Sequence, residues 1–210
     1  MNTDEQIPYY RELAEKHGNS RDVAGWGSSQ SQTQRFDVFC RHFHLAGSSM
    51  LDVGCGRGDL LAFLKETGRA PAQYTGVELL PEIADYARGN HTGATVLVGD
   101  LANVDPPPVD YAVASGIFNL TIADHDNWMK HTIARMWSVA RRGAAFNIIS
   151  VHAPEHRDGQ YYAKPEYWLA WCQSLTPYVV VRHDYAVHDM TFFLFREAVS
   201  SHAATGNDTL

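Results

Sequence analysis

The chain has 210 residues, 45% of them hydrophobic, and its 24 Asp and Glu outweigh 17 Lys and Arg for a formal charge of -7. That is enough chain for one ordinary domain with a full core, and an acidic balance without a basic stripe argues against a nucleic-acid partner. No apolar run approaches a membrane span, the N-terminus lacks signal-peptide character, and Cys40, Cys55 and Cys172, widely spaced and without a Cys-x-x-Cys, read as reduced thiols of a cytoplasmic protein.

In chain order, residues 4–17 predict a first helix with Ile7, Tyr10, Leu13 and Ala14 on one face. A Gly/Ser/Asn-rich segment follows, in which Trp26 stands between two glycines, an unusual place for a large ring unless it docks. A second helix over residues 31–43 carries Phe36, Phe39, Cys40 and Phe43 as its apolar stripe and Arg35 on another face. Residues 50–53 are a short apolar run suited to a buried parallel strand. Gly54, Gly56 and Gly58 then alternate, and a helix over residues 58–68 begins directly after them. Glycine there lets the backbone turn sharply and lets a ligand lie against the main chain. Strand, glycine turn and helix open a nucleotide-binding βαβ unit.

Two residues indicate which nucleotide. The last glycine position of the dinucleotide fingerprint, residue 59, is Asp, which disfavours NAD. Asp52, two residues ahead of the first glycine, would repel a pyrophosphate and attract a ligand bearing an ammonium and a sulfonium, such as S-adenosylmethionine. The run Met-Leu-Asp-Val-Gly-Cys-Gly-Arg-Gly-Asp-Leu, residues 50–60, resembles motif I of the class I S-adenosylmethionine-dependent methyltransferases. The resemblance implies that Asp52 and the turn Gly54, Cys55, Gly56 and Gly58 hold the cofactor. Cys55 needs only to be small there, and a catalytic thiol is not expected. In this family the segment before motif I often closes over the methionine end. Arg35 then either pairs with the cofactor's carboxylate or is an ordinary solvated helix arginine, and Tyr10 and Trp26 are candidates to cap the reactive centre or to pack structurally.

The second strand, residues 74–78, ends in Glu78, 20 residues beyond Gly58, near the spacing at which an acid accepts hydrogen bonds from ribose hydroxyls. Pro81-Glu82 starts the next helix, which runs to residue 90. A third strand over residues 94–98 closes on Gly99-Asp100-Leu101. By resemblance Glu78, with Leu79 beside it, takes the ribose, and Asp100 with Leu101 takes the adenine. The fourth strand, residues 109–115, ends in Gly116-Ile117-Phe118-Asn119-Leu120, a loop that faces the transferred group in open α/β sheets. Ser115 and Gly116 permit close backbone approach, Phe118 could lie against adenine or the sulfonium, and Asn119 could orient a nucleophile. Amino-methyltransferases of this family keep an Asn/Asp-Pro-Pro-Tyr motif at this place. Its Pro-Pro-Tyr is missing, which argues against amine methylation by that device.

A helix from residue 125 or 126 to 141 carries Trp128, Ile133, Met136, Trp137 and Ala140 at core spacing. In the fifth strand, residues 143–150, Asn147 is costly to bury without partners, so it either serves the site or ties down a loop. The polar insertion at residues 152–165 is where this family commonly puts substrate contacts, with His152, Tyr161 and Tyr162 as candidates and Tyr161 as a catalytic one. A helix to residue 175 and two β-rich runs, residues 178–185 and 190–196, complete the chain before a Ser/Ala/Gly tail that reads as disordered. The scattered histidines form no metal spacing, and no metal is expected.

The resemblance implies an α/β, doubly wound, seven-stranded, mostly parallel sheet with its last strand antiparallel. It also implies one domain over residues 1–198, with residues 1–45 as a helical cap. The expected reaction is methyl transfer to a small-molecule acceptor by a monomer or homodimer, releasing S-adenosylhomocysteine. Motif I is equally compatible with attack at the aminocarboxypropyl carbon or cyclisation, both of which release methylthioadenosine, and with a module that only binds the cofactor.

Overall fold

The computed structural model describes residues 6–17 and 29–199. Trp26 and the C-terminal tail lie outside the described residues. The elements run α1 (Gln6–His17), α2 (Ser29–His42), β1 (Ser49–Val53), α3 (Asp59–Glu66), β2 (Gln73–Glu78), α4 (Pro81–Asn90), β3 (Thr95–Val98), β4 (Val109–Ala114), α5 (His125–Val139), β5 (Ala140–Ile149), α6 (Pro165–Gln173), β6 (Val179–Arg182) and β7 (Asp189–Phe195).

The seven strands form one sheet in the order β3-β2-β1-β4-β5-β7-β6. All neighbours are parallel except β7, which runs antiparallel to both β5 and β6. β1 is the centre: Asp52 sits between Gly76 and Val113, and Val53 between Val77 and Ala114. The chain leaves β1 toward β2 on one side and returns as β4 on the other. A crevice therefore opens at the carboxyl ends of these two strands, where such sheets bind ligands.

Strand alternation divides the interior into two cores. Leu51, Val53, Ala112, Phe146, Ile148 and Phe192 pack under α5 and α6, against Met129, Ile133, Met136 and Trp168. Met50, Tyr74, Val113, Ala145 and Phe193 face the other way, against Phe36 and Phe39 of α2 and Leu60, Leu61 and Leu64 of α3. Among the described residues no helix is long and apolar enough to cross a membrane.

One boundary differs from the sequence expectation. The helix predicted to continue to residue 141 ends at Val139, and β5 begins at once with Ala140, which pairs with Val109. Ala and Arg are good helix formers, but pairing to β4 overrides that weak preference. The Arg142 guanidinium, 5.1 Å from the centre of the Tyr111 ring, lies over the strand that β5 joins.

Arg35 is neither solvated nor aimed at the crevice. Its Nε donates to Asp189 Oδ2 at 2.5 Å, with the two side chains only 7% and 1% exposed, and its Nη2 donates to Ser31 Oγ at 3.2 Å. Asp189 opens β7, opposite Ile149. The pair thus fastens α2 to the sheet, and its burial correctly makes Arg35 a structural cation. Removing one member strands the other charge in the interior. Arg35→Ala is expected to lower unfolding stability by about 3–5 kcal/mol, read from the urea midpoint.

Candidate active site

The glycine turn after β1 is built by close approach. Gly54 has φ +68°, and a Cβ there would lie 2.2 Å from Ile117 Cγ2, so only glycine lets the loop after β4 press against the end of β1. Its amide and that of Cys55 both donate to the carbonyl of Val77, at 2.8 and 3.0 Å. At Gly56 (φ +53°) a Cβ would meet nothing within 4 Å, and this residue borders open space. A Cβ on Gly58 would instead strike the His91 ring at 2.5 Å, so the third glycine serves the fold behind the turn.

Glu78, at the end of β2, joins two loops. Oε2 accepts from the Gly56 amide at 2.9 Å and Oε1 from the Leu80 amide at 3.0 Å. Burial raises its pKa, and the backbone amides of Leu80, Gly56 and Leu79 oppose that rise by favouring the anion. Each oxygen keeps a further lone pair for a ligand hydroxyl. Across the crevice, Asn147 Oδ1 accepts from the Gly116 amide and Asn147 Nδ2 donates to Ser115 Oγ, both at 2.8 Å. Asn147 is fully buried. Of the two readings its sequence left open, the structure therefore selects loop anchorage over substrate contact. Asp100 caps its own turn, accepting from the Ala102 amide at 2.7 Å.

Between these parts lies a cleft of about 950 Å³, counting its solvent-facing mouth. Tyr10, Gly54, Gly56, Glu78, Leu79, Asp100, Leu101, Ser115 and Gly116, nine of the sequence candidates, line it. The remaining wall is mainly apolar, from Val53, Val77, Leu80, Ile83, Ile117 and Trp128, with Asp59 and Thr132. Among the described residues Arg57 is the single cationic side chain on this wall, and its guanidinium lies 3.8 Å over the Tyr86 ring. Three carboxylates against one guanidinium make the cleft hospitable to cations and poor for a pyrophosphate. Tyr10 meets the Glu78 end, where burial and then the nearby carboxylate push its phenol pKa up. It thus lies within electrostatic reach of Glu78 on the cleft wall.

Other candidates lie off this wall. Asp52 shares its strand face with Met50, is 3% exposed, and accepts from Tyr74 Oη at 2.7 Å. It influences the cleft through space, being electrostatically coupled to Glu78 and Asp59. Cys55 packs toward Gly76, with burial holding its thiol well up. Phe118 is fully buried edge-on to Trp128 and Phe146, so its expected contact with the ligand is replaced by core packing. Tyr161 donates to Asp126 at 2.6 Å and stacks on His125, while its backbone amide donates to the Asn119 carbonyl at 2.9 Å. Tyr162 stacks on His156 and accepts from the Arg157 amide at 2.7 Å; the His152 ring neighbours that of His183, 6.1 Å away. Thus the insertion pairs with the loop after β4 instead of reaching the cleft with its tyrosines. Trp128 and Thr132 were missed as wall residues. The signal available was a threonine one turn beyond a tryptophan in an otherwise apolar helical stripe. Among the described residues no three His, Cys, Asp or Glu side chains gather as a metal site would need.

The chain matches the methyltransferase domain family over residues 50–143. Over 154 residues it is 33% identical to a protein of Mycobacterium tuberculosis provisionally named a methyltransferase (Rv1506c), an alignment covering 70% of this chain and 92% of that one. The chain belongs to the class I S-adenosylmethionine-dependent methyltransferases. Its cofactor is S-adenosylmethionine. The fold of this methyltransferase is shared by the magnesium protoporphyrin IX methyltransferase of Synechocystis, solved with S-adenosylhomocysteine, at TM-score 0.62 and 13% identity over 92% of this chain and 95% of that one. It is also shared by the small RNA methyltransferase HEN1, at TM-score 0.62 and 16% identity over 80% of this chain and 26% of that one.

The position of Asp52 makes a test possible. Burial, above all, lifts its pKa to about 7, with Glu78 and Asp59 adding to the rise and the Tyr74 hydroxyl opposing it. A carboxyl that holds its proton more tightly when folded contributes stability that is complete below about pH 4 and lost as pH rises through about 7. Asp52→Asn is expected to remove this slope. Urea unfolding at pH 5 and pH 8 should show the variant gaining on the wild type between the two by a few kcal/mol at most, because the slope runs from about pH 4 to about 7.

Proposed function

We propose that this methyltransferase transfers the methyl group of S-adenosylmethionine to a small-molecule acceptor and releases S-adenosylhomocysteine. The observation that carries the acceptor class is the charge of the cleft: Asp59, Glu78 and Asp100 face a wall otherwise apolar, with Arg57 set over Tyr86. A polyphosphate chain would find repulsion there, although the fold itself serves an RNA enzyme elsewhere. Net charge of -7 adds to the same effect over longer range.

The residues present suit the cofactor. Gly56 leaves room against the main chain, and the free lone pairs of Glu78 suit a pair of vicinal hydroxyls. On this reading Glu78 takes the ribose, Asp100 and Leu101 take the adenine, and Gly54, Gly56, Ser115 and Gly116 bring backbone to the methionine part. Asn147, holding Ser115 and Gly116 from behind, positions that second backbone segment. S-adenosylmethionine, when bound, supplies a methyl on a sulfonium that is its own leaving group. The protein therefore has mainly to orient the two reactants and shed water.

Two measurements test this. Calorimetry should show S-adenosylmethionine binding and NAD failing to bind. Glu78→Ala should weaken that binding by about 1–3 kcal/mol, the cost of unpaired buried partners; unchanged affinity would remove Glu78 from the site. Mass spectrometry of the nucleoside product should find S-adenosylhomocysteine, and methylthioadenosine in its place would overturn methyl transfer.

A further inference from the structure

The three carboxylates of the cleft wall follow the order of the sheet. Asp100 comes after β3, Glu78 closes β2 and Asp59 follows β1, and these strands are neighbours in the order β3-β2-β1. Two of the three are engaged by main chain: Glu78 accepts from Gly56 and Leu80, and Asp100 from Ala102 in its own turn. Asp59 is engaged differently. Its Oδ2 accepts from Gln32 Nε2 at 3.1 Å, across 27 residues of chain. Among the described residues it has no ion-pair partner. One neutral donor leaves most of the lone pairs of a carboxylate unused.

The donor sits on a fixed support. Gln32 is 4% exposed, and an amide so enclosed is costly to bury without a partner. It lies in the first turn of α2, one turn ahead of Phe36, whose ring meets that of Phe63 in α3 at 5.7 Å. Arg35 and Asp189 fasten the same helix to the sheet. An Asp at the first position of a helix such as α3 is favourable by itself. That preference accounts neither for a buried amide brought to it from another helix nor for its place on the cleft wall. Asp52, the acid that the sequence offers to the cationic end of the ligand, lies off that wall and bonds Tyr74.

We propose that Asp59 receives the α-ammonium of S-adenosylmethionine and that Gln32 is the positioning residue that aims it. The proposal rests on the cleft being the S-adenosylmethionine site, with adenine at Asp100 and ribose at Glu78. Continuing across the strand ends in the same direction then brings the amino-acid end to the turn after β1, where Asp59 stands. An ammonium is a compact, strongly hydrated charge, and leaving water for a largely apolar cleft calls for a carboxylate on arrival. The pairing also bears on which carbon of the cofactor reacts. A nearby anion favours the charged form of an amine, and an ammonium has no lone pair with which to attack its own chain. Asp59 thus disfavours the cyclisation that would release methylthioadenosine.

The test compares S-adenosylhomocysteine with its deamino analogue, which keeps the adenosine, sulfur and carboxylate and lacks the ammonium alone. Calorimetry on the full chain, by competition where binding is weak, gives the ratio of the two dissociation constants. The wild type should bind the deamino analogue about tenfold to 100-fold more weakly. Asp59→Asn should bring the ratio close to one by weakening S-adenosylhomocysteine, and Gln32→Leu should lower it too. Asp100→Asn, which takes a charge from the same wall, should keep the ratio. The assignment is overturned if the wild type does not distinguish the two compounds, if Asp59→Asn keeps the ratio, or if Asp100→Asn lowers it as far. If Asp59→Asn binds neither compound, Gln32→Leu decides: an unchanged ratio rejects the assignment and a lowered one sustains it. Failure of the wild type to bind S-adenosylhomocysteine or S-adenosylmethionine is a separate result, which removes the cofactor site itself.

Discussion

Glu78 accepts an amide hydrogen from Gly56 with one oxygen and from Leu80 with the other, and so joins the turn after β1 to the turn after β2. The cleft depends on that shared carboxylate. Without it the two turns would each carry an unpaired amide at the rim of a buried strand end, and only the bonds from the Gly54 and Cys55 amides to the Val77 carbonyl would join the first turn to β2. Burial raises the pKa of this nearly enclosed acid, and those amides oppose the rise by favouring its anionic form. The same hydrogen bonds thus shape the cleft and favour its negative charge.

The opposite wall is held in a different way. Gly54 lets Ile117 come closer than any side chain would allow, and Asn147 grips Ser115 and Gly116 from the neighbouring strand. One wall is set by a carboxylate at a strand end, the other by a fully buried amide, and both hold main-chain groups of the loops. A cofactor that meets main chain in this way is positioned by the sheet itself, with little side-chain freedom to lose.

Charge supports this division of labour. Asp52 lies behind the turn, outside the cleft wall, yet it couples electrostatically to Glu78 and Asp59. Its field reaches the ligand space even though its oxygen does not. Arg35, which could have supplied a compensating cation near the site, is spent on Asp189 between α2 and β7. The cleft accordingly stays acidic.

The sequence by itself determined the order of elements, the glycine turn and the acid closing β2, while the antiparallel finish of the sheet was implied by the family resemblance. These are local properties: period-two burial, residues that alone tolerate a left-handed backbone, and fixed spacings along one βαβ unit. Tertiary structure decided which polar groups meet the ligand. Asp52 and Phe118 turn away because strand alternation and α5 packing leave them facing other neighbours, Asn147 serves the loop because Ser115 lies within its reach, and Trp128 turns from core residue to cleft wall. Those outcomes depend on which element covers each side chain, and residues far apart in sequence, such as Asn119, His125 and Tyr161, come together only when the insertion after β5 folds back onto the loop after β4.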